Sequence, residues 1–520
     1  MNISRLKKSF LALAAGAFAV PAFSTQEFSP LEFFPLSIFA LAILFGLWQS
    51  ANNTVNKREA VWLGFYFGLG LFGAGIGWIY IALHEYGGMS PLLAFLATAL
   101  FAAFLALFPA LVGYAQAKFS APLWVLLTLI MPALCVLLEW LRGMIFTGFP
   151  WLAMGYSQVS AYSPLAGYAP VLGVYGVSLI MAISAGLLVL WWQSRWTQQG
   201  KIALMGLVLL WGGGAILQTI EWTQAEGEPV QVALLQGNIP QHLKFREDTL
   251  VNTLETYRRL ALQSEARLII LPETAIPLLR QNMPQNYLEI LRAHAIKNGG
   301  DMLIGGFEKE NGQFYNSVFS VGEAESHINV RQSYRKNHLV PFGEFIPLRP
   351  ALGWLINGVL NIPMSDLARG GERQPVMHVA GQRVAVDICF EDVFGEEIIR
   401  YLPEATLLVN VTNDAWYGNS SAAMQHNQIA QMRALESGRM MLRATNTGVT
   451  SIIRRDGTVQ AMLPQHEEGV LIGQVQGYSG STPYVRWGNA AVLLIITAML
   501  IFAWLRRKHS SPDKGRPGGV

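Results

Sequence analysis

The sequence predicts a polytopic α-helical membrane domain of about eight spans joined to an α/β domain held outside the cytoplasm. Three observations lead there. Of 520 residues, 52% are hydrophobic and only 14% charged, against roughly 25% charged in ordinary soluble domains. The apolar residues are concentrated in the first 220 positions and in one stretch near the C-terminus. What lies between, Pro229 to Pro483, has a globular composition in which strand-like and helix-like segments alternate.

Seven apolar stretches each approach the ~20 residues that a helix needs to cross a bilayer. They are Phe10–Phe23, Leu31–Trp48, Ala60–Leu83, Pro91–Ala117, Pro122–Leu141, Leu165–Trp192 and Ile202–Ile220. An eighth, Ala490–Trp504, leads into the basic Arg506, Arg507 and Lys508. The division expected is a membrane domain over 1–220, a polar domain over 229–483, a last span over 488–506 and a basic tail over 507–520. Arg5, Lys7 and Lys8 ahead of a short first stretch imitate a secretory leader. The next span follows at once and the cleavage pattern is poor, so the reading is an uncleaved anchor.

Basic residues orient the bundle. Lys57, Arg58, Lys118, Arg195, Lys201 and the C-terminal tail share one side, and the opposite short loops contain only Arg142. The richer side is cytoplasmic, so seven crossings leave the polar domain outside the cytoplasm, which in a bacterium would be the periplasm. A net charge of +3 is too small to suggest a nucleic-acid partner.

In the polar domain, Val230–Gln236, Ala266–Leu271, Asp301–Gly305, Arg383–Ile388 and Ala405–Asn410 are apolar runs of strand length, while Asp248–Ala266 and Ala422–Arg443 have helical periodicity. Neither an internal repeat nor a low-complexity segment stands out before the Ser/Pro/Gly-rich last dozen residues.

Catalytic groups in α/β folds gather where strands end. Glu273 follows the second of these strands in Leu-Pro-Glu-Thr, Lys336 follows an extended segment, and Cys389 ends Arg383–Ile388 in Asp-Ile-Cys-Phe-Glu-Asp. A helix starting near Val393 and a nearby lysine are expected to favour the Cys389 thiolate, and a carboxylate can take the thiol proton. Taken singly, a cysteine placed like Cys389 is more often a small core residue, a glutamate like Glu273 a solvated or capping carboxylate, and a lysine like Lys336 an exposed loop residue. The other cysteine, Cys135, lies inside an apolar run far from Cys389. A disulfide is not expected, and no Cys/His cluster suggests a metal.

Together the three sites resemble the nitrilase superfamily, with its Glu-Lys-Cys triad on an αββα sandwich. The match runs through Leu271-Pro-Glu-Thr274, Arg335-Lys-Asn-His-Leu-Val-Pro-Phe-Gly-Glu-Phe345, Cys389-Phe-Glu391, Val411-Thr-Asn-Asp-Ala-Trp-Tyr-Gly418 and the helix containing Arg433, Glu436 and Arg439. Joined to eight spans, these motifs look like the apolipoprotein N-acyltransferase branch. Gly148-Phe-Pro-Trp-Leu152, Gly155-Tyr-Ser-Gln158 and Gln236-Gly-Asn-Ile-Pro-Gln241 also resemble that branch. Two departures are small: Phe390 where many relatives have Tyr, and Phe245 near where some have Trp.

The resemblance implies no cofactor and a two-step acyl transfer. Cys389, with Glu273 as base, would attack the sn-1 ester of a phospholipid such as phosphatidylethanolamine. Lys336 and the backbone N–H after Cys389 would hold the oxyanion. The acceptor implied is the α-amine of a diacylglyceryl-cysteine that begins an apolipoprotein, at the bacterial inner membrane. Glu344 is expected to orient Lys336 or the amine, or to form a structural salt bridge. Glu391 is expected to brace the elbow or touch substrate. Phe390 flanks the nucleophile, and Asn413 and Trp416 lie in a turn expected to line the pocket. Between Pro341 and Gly371, Trp354 and its apolar neighbours read as a lid dipping into the bilayer, or as a core helix. Glu139 and Arg142 read as an interfacial ion pair, and His84 and Glu85 as interfacial. Two other readings stay open: a membrane-tethered amidase that hydrolyses its thioester, and a non-catalytic transporter or scaffold.

Overall fold

The computed structural model describes residues 3–24, 33–53, 57–324, 332–347 and 366–509. Helices α1 (Ile3–Phe18), α2 (Phe34–Asn53), α3 (Lys57–Gly75), α4 (Trp78–Ile81), α5 (Pro91–Gln116), α6 (Leu123–Arg142), α7 (Ala169–Ser194) and α8 (Gln198–Gln218) form the bundle. Among the described residues, six segments are long and apolar enough to cross a membrane. A seventh is the bent pair α3 and Trp78–Tyr86, which meet at 51°. Over their described residues the seven expected stretches are therefore largely helical, but the third is broken where Gly75 and Gly77 flank Ile76. The eighth, α12 (Ala490–His509), is a shorter apolar helix. Leu92, Phe95, Leu100, Val208, Leu209 and Leu494 are each more than half exposed, as suits side chains solvated by lipid rather than water.

Close approach within the bundle relies on small residues, since lipid gives apolar helices no hydrophobic reason to associate. A Cβ on Gly64 of α3 would lie 2.3 Å from the carbonyl oxygen of Pro109 in α5.

The polar region folds into two six-stranded sheets. One has the order β12-β1-β2-β3-β4-β5 and the other β11-β10-β9-β8-β7-β6. The strands are β1 (Thr223–Gln236), β2 (Leu268–Ile270), β3 (Asp301–Glu310), β4 (Gln313–Gly322), β5 (Ser333–Arg335), β6 (Met377–Val379), β7 (Gln382–Ile388), β8 (Leu407–Thr412), β9 (Met441–Thr445), β10 (Ser451–Ile453), β11 (Val459–Met462) and β12 (Gly469–Gly480). Side-chain alternation builds the layers. Val232 and Leu234 of β1 share a core with Val384, Val386, Leu407 and Val409 of the second sheet. The intervening Ala233 and Leu235 pack against α9 (Glu247–Leu262) and α10 (Gln285–Lys297). On the far side, Ala385 and Leu408 meet α11 (Ala422–Ser437). The order is helices, sheet, sheet, helix.

The helix expected over Ala422–Arg443 stops at Ser437, because Gly438 takes the left-handed conformation (φ 64°) that ends helices. Met441–Thr445 then becomes β9. Helix α11 is buried on all sides, because the membrane bundle covers its other face. Gln425 accepts from the indole N–H groups of Trp78 (3.2 Å) and Trp151 (2.7 Å) and donates to the Gly75 carbonyl (3.1 Å). Gln428 donates to the carbonyls of Ala22 and Tyr156, and Glu436 accepts from the N–H of Val174 at 2.6 Å.

Glu139 and Arg142 correct the expected interfacial pair. Among the described residues neither makes a direct ion pair with the other. Glu139 accepts from the N–H of Met154 (2.9 Å) and the Ser178 hydroxyl, while Arg142 donates to the carbonyls of Phe149 (2.6 Å) and Trp151 (2.7 Å). Both groups hold the 148–158 loop, because its backbone supplies the hydrogen bonds that a desolvated charge requires. His84 binds the Met89 carbonyl through Nδ1 (2.8 Å).

Candidate active site

Three strands deliver the three residues expected to do chemistry. Glu273 comes just after β2, Lys336 directly after β5, and Cys389 directly after β7. The first two belong to one sheet and the third to the other, so the site lies across the sandwich. All three are buried.

Lys336 Nζ stands 2.9 Å from Glu344 Oε1 and 3.6 Å from Glu273 Oε1. Burial alone would lower its pKa, but Glu344 and Glu273 outweigh burial and push it up, so the ammonium stays charged. Glu344 also accepts from the N–H of Val340 at 2.9 Å. Asn316 Nδ2 bridges the two carboxylates, 2.7 Å from Glu273 Oε1 and 3.1 Å from Glu344 Oε1.

Cys389 sits at φ 56°, a conformation that non-glycine residues hold only where their surroundings over-determine it. Burial pushes its thiol up, Glu273 adds to this, and Lys336 opposes it. The expected thiolate preference is therefore corrected: in the resting site the thiol keeps its proton. The expected helix from Val393 is a 3₁₀ turn, Cys389–Val393, followed by a single helical turn, Gly395–Ile398. A desolvated sulfur next to a carboxylate needs a base at the moment of attack.

Glu391 holds the elbow. Its carboxylate accepts from the N–H groups of Ile388 (2.7 Å), Asn337 (2.7 Å) and His338 (2.9 Å) and from the Tyr334 hydroxyl (2.9 Å). Burial nevertheless pushes it up to about 7. Phe390 stacks on Phe149 (6.3 Å) and Trp151 (6.2 Å) of the membrane-side loop. Asn413 is turned inward, donating to Gln241 (2.8 Å) and accepting from Asn446 (3.0 Å). Trp416 is half-buried and meets Tyr86 edge-on at 6.1 Å. Trp354 and residues 348–365 of the expected lid lie outside the described residues.

Several neighbours of the site carried no sequence signal. Lys244 is buried and donates to the backbone carbonyl of Glu273 at 3.1 Å; burial pulls it down to about 7. It follows Gln236-Gly-Asn-Ile-Pro-Gln241, which could have drawn attention to it. Behind Cys389, His426 Nδ1 meets Asp414 and Nε2 meets Asp392, both at 2.9 Å. Arg443 bridges the same two aspartates (2.8 and 3.3 Å). Burial and Arg443 lower the imidazole, yet Asp392 and Asp414 carry it up to about 9. Among the described residues, no group of three His, Cys, Asp or Glu side chains is arranged to hold a metal.

A Glu-Lys-Cys cluster across an αββα sandwich defines a carbon–nitrogen hydrolase type of protein, here mounted on a membrane bundle. Residues 231–484 match the Carbon-nitrogen hydrolase family, and residues 22–187 match the Apolipoprotein N-acyltransferase N-terminal domain. An apolipoprotein N-acyltransferase of Nitrosomonas europaea is 50% identical over 465 residues, 88% of this chain and 90% of that one. One of Methylococcus capsulatus is 40% identical, covering 91% and 92%. The chain belongs to the apolipoprotein N-acyltransferase family.

Proposed function

We propose that the chain moves a fatty acyl group from the sn-1 position of a phospholipid, phosphatidylethanolamine for one, through a thioester on Cys389. The acceptor is the α-amine of the S-diacylglyceryl-cysteine that begins an apolipoprotein. Family membership makes the chain an acyltransferase acting in lipoprotein maturation. The observation that supports this chemistry is the joint burial of Glu273, Lys336 and Cys389 on three strand ends.

Glu273 takes the thiol proton as sulfur attacks the ester carbonyl. The Lys336 ammonium and the N–H of Phe390 hold the oxyanion, a contribution commonly about 2.7–4 kcal/mol for one donor. Collapse expels the lysophospholipid alkoxide, which takes the proton back from Glu273. The amine then attacks the thioester, gives its proton to Glu273, and the Cys389 thiol leaves with it. Glu344 and Asn316 keep Lys336 and Glu273 in register. Basic loop residues orient the catalytic domain to the periplasmic face of the bacterial inner membrane, where both lipid-bearing substrates reside.

The test uses acylated enzyme freed of donor. A peptide beginning with diacylglyceryl-cysteine should discharge the acyl chain onto its amine, and the same peptide acetylated at that amine should not. Rapid discharge by water without any amine would replace this reading with the membrane-tethered amidase.

A further inference from the structure

The carbonyl of Cys389 is gripped from one side. Asn410 Nδ2 donates to it at 3.1 Å, and the one Nε2–H of His426, shared with Asp392 at 2.9 Å, reaches it at 3.3 Å. The layers fix which side this is. In β8, Leu408 packs toward α11 while Leu407 and Val409 face the other sheet, so alternation puts Asn410 on the α11 face. His426 belongs to α11 itself. Both donors therefore lie on the outer face of the sheet that ends in Cys389, and Glu273 and Lys336 hang from the sheet opposite.

Neither donor is free to wander. Asn410 sits in register between Asp387 of β7 and Arg443 of β9; it donates to Asp387 Oδ1 and accepts from Arg443 Nη1 at 2.6 Å. His426 is clamped between Asp392 and Asp414. Asn410, His426 and Arg443 are all 1% exposed or less.

A trans peptide unit is planar, with its C=O and N–H pointing to opposite sides. Pulling the Cys389 carbonyl toward α11 thus sends the N–H of Phe390 the other way, toward the sheet bearing Glu273 and Lys336. We propose that Asn410 and His426 are positioning residues of the oxyanion hole, aiming the Phe390 N–H by gripping the other end of its peptide. This rests on the thioester reading above. It also accounts for the strained φ of Cys389: Glu391 holds the N–H before the residue, and this pair holds the carbonyl after it.

Two reactions of the same sulfur separate this role from general support of the elbow. Acylation by phospholipid, read as lysophospholipid released in a single turnover, passes through an oxyanion. Alkylation by iodoacetamide expels iodide and forms none. Asn410→Leu, close in volume, should slow acylation about 100-fold and leave alkylation within about twofold of the parent. His426→Leu should do the same, and His426→Gln, which retains a donor, should recover most of the loss. If His426→Leu does not fold, Asn410→Leu carries the test. Folded Asn410→Leu with normal acylation, or with both reactions slowed alike, overturns the proposal. Absence of any acyl adduct on Cys389 of the parent enzyme overturns the thioester reading instead.

Discussion

At the scale of single residues, the two cysteines differ in what surrounds them. Cys389 has Glu273 and Lys336 within electrostatic reach, whereas Cys135 lies within a span, packed against the bundle core. Cys389→Ala should therefore abolish acyl transfer, and Cys135→Ala should retain at least about half of it, measured in the same detergent; the converse pattern would move the nucleophile. Glu273→Gln should slow both acylation and discharge by about 10²–10⁴-fold, the usual worth of a general base, as read by stopped half-reactions. His426 predicts a pH effect on stability. Its folded pKa of about 9 exceeds the unfolded value near 6.5, so the folded state binds the extra proton. Its contribution is complete below about pH 6.5 and fades as pH rises through about 9. Thermal unfolding should shift downward over that window, and less so in folded His426→Gln. The grouping of Glu273, Lys336 and Cys389 was legible in the sequence because each sits in a motif, Glu273 and Cys389 after apolar runs and Lys336 after an extended segment. Asn316, Lys244, Asn410 and His426 were not, because their meaning comes from cross-strand register and burial, which distant sequence positions do not reveal.

At the scale of elements, the 148–158 loop is the joint between bundle and sandwich. Its Trp151 stacks on Phe390 (6.2 Å) and meets Trp78 and His426 at a tilt (both 5.2 Å), and Arg142 holds the loop backbone. A hydrogen bond to a charged group contributes about 1.5–3 kcal/mol. Arg142→Leu removes two and should lower the unfolding midpoint in detergent by several degrees while exposing the loop to protease. An unchanged melt and digestion pattern would return Arg142 to the interfacial role its sequence position suggested. The spans were readable from length and hydropathy, because lipid demands continuous apolar helix. The break between α3 and α4, the end of α11 at Gly438, and the strands β4, β6 and β10–β12 were not, because glycine conformation and sheet pairing are settled by partners far along the chain.

At the scale of the whole molecule, the sandwich and the bundle share one apolar core, so orientation in the membrane decides which compartment Cys389 meets. The basic loops predict the periplasm. In a Cys135→Ala background, a membrane-impermeant thiol reagent applied to intact spheroplasts should label cysteine at exposed Gln313 and spare cysteine at exposed Gln199. The reverse pattern would invert the topology and remove a periplasmic acceptor.

Everything in the two-step reading passes through one covalent state. Purified enzyme incubated with phospholipid and no acceptor, then weighed intact and mapped by peptide mass spectrometry, tests it most directly. The account predicts one acyl chain on Cys389, labile to neutral hydroxylamine, with one lysophospholipid released for each chain gained. Full transfer to a diacylglyceryl-cysteine peptide while Cys389 never carries an acyl chain would contradict it, and would assign the attack on the phospholipid ester to the amine itself.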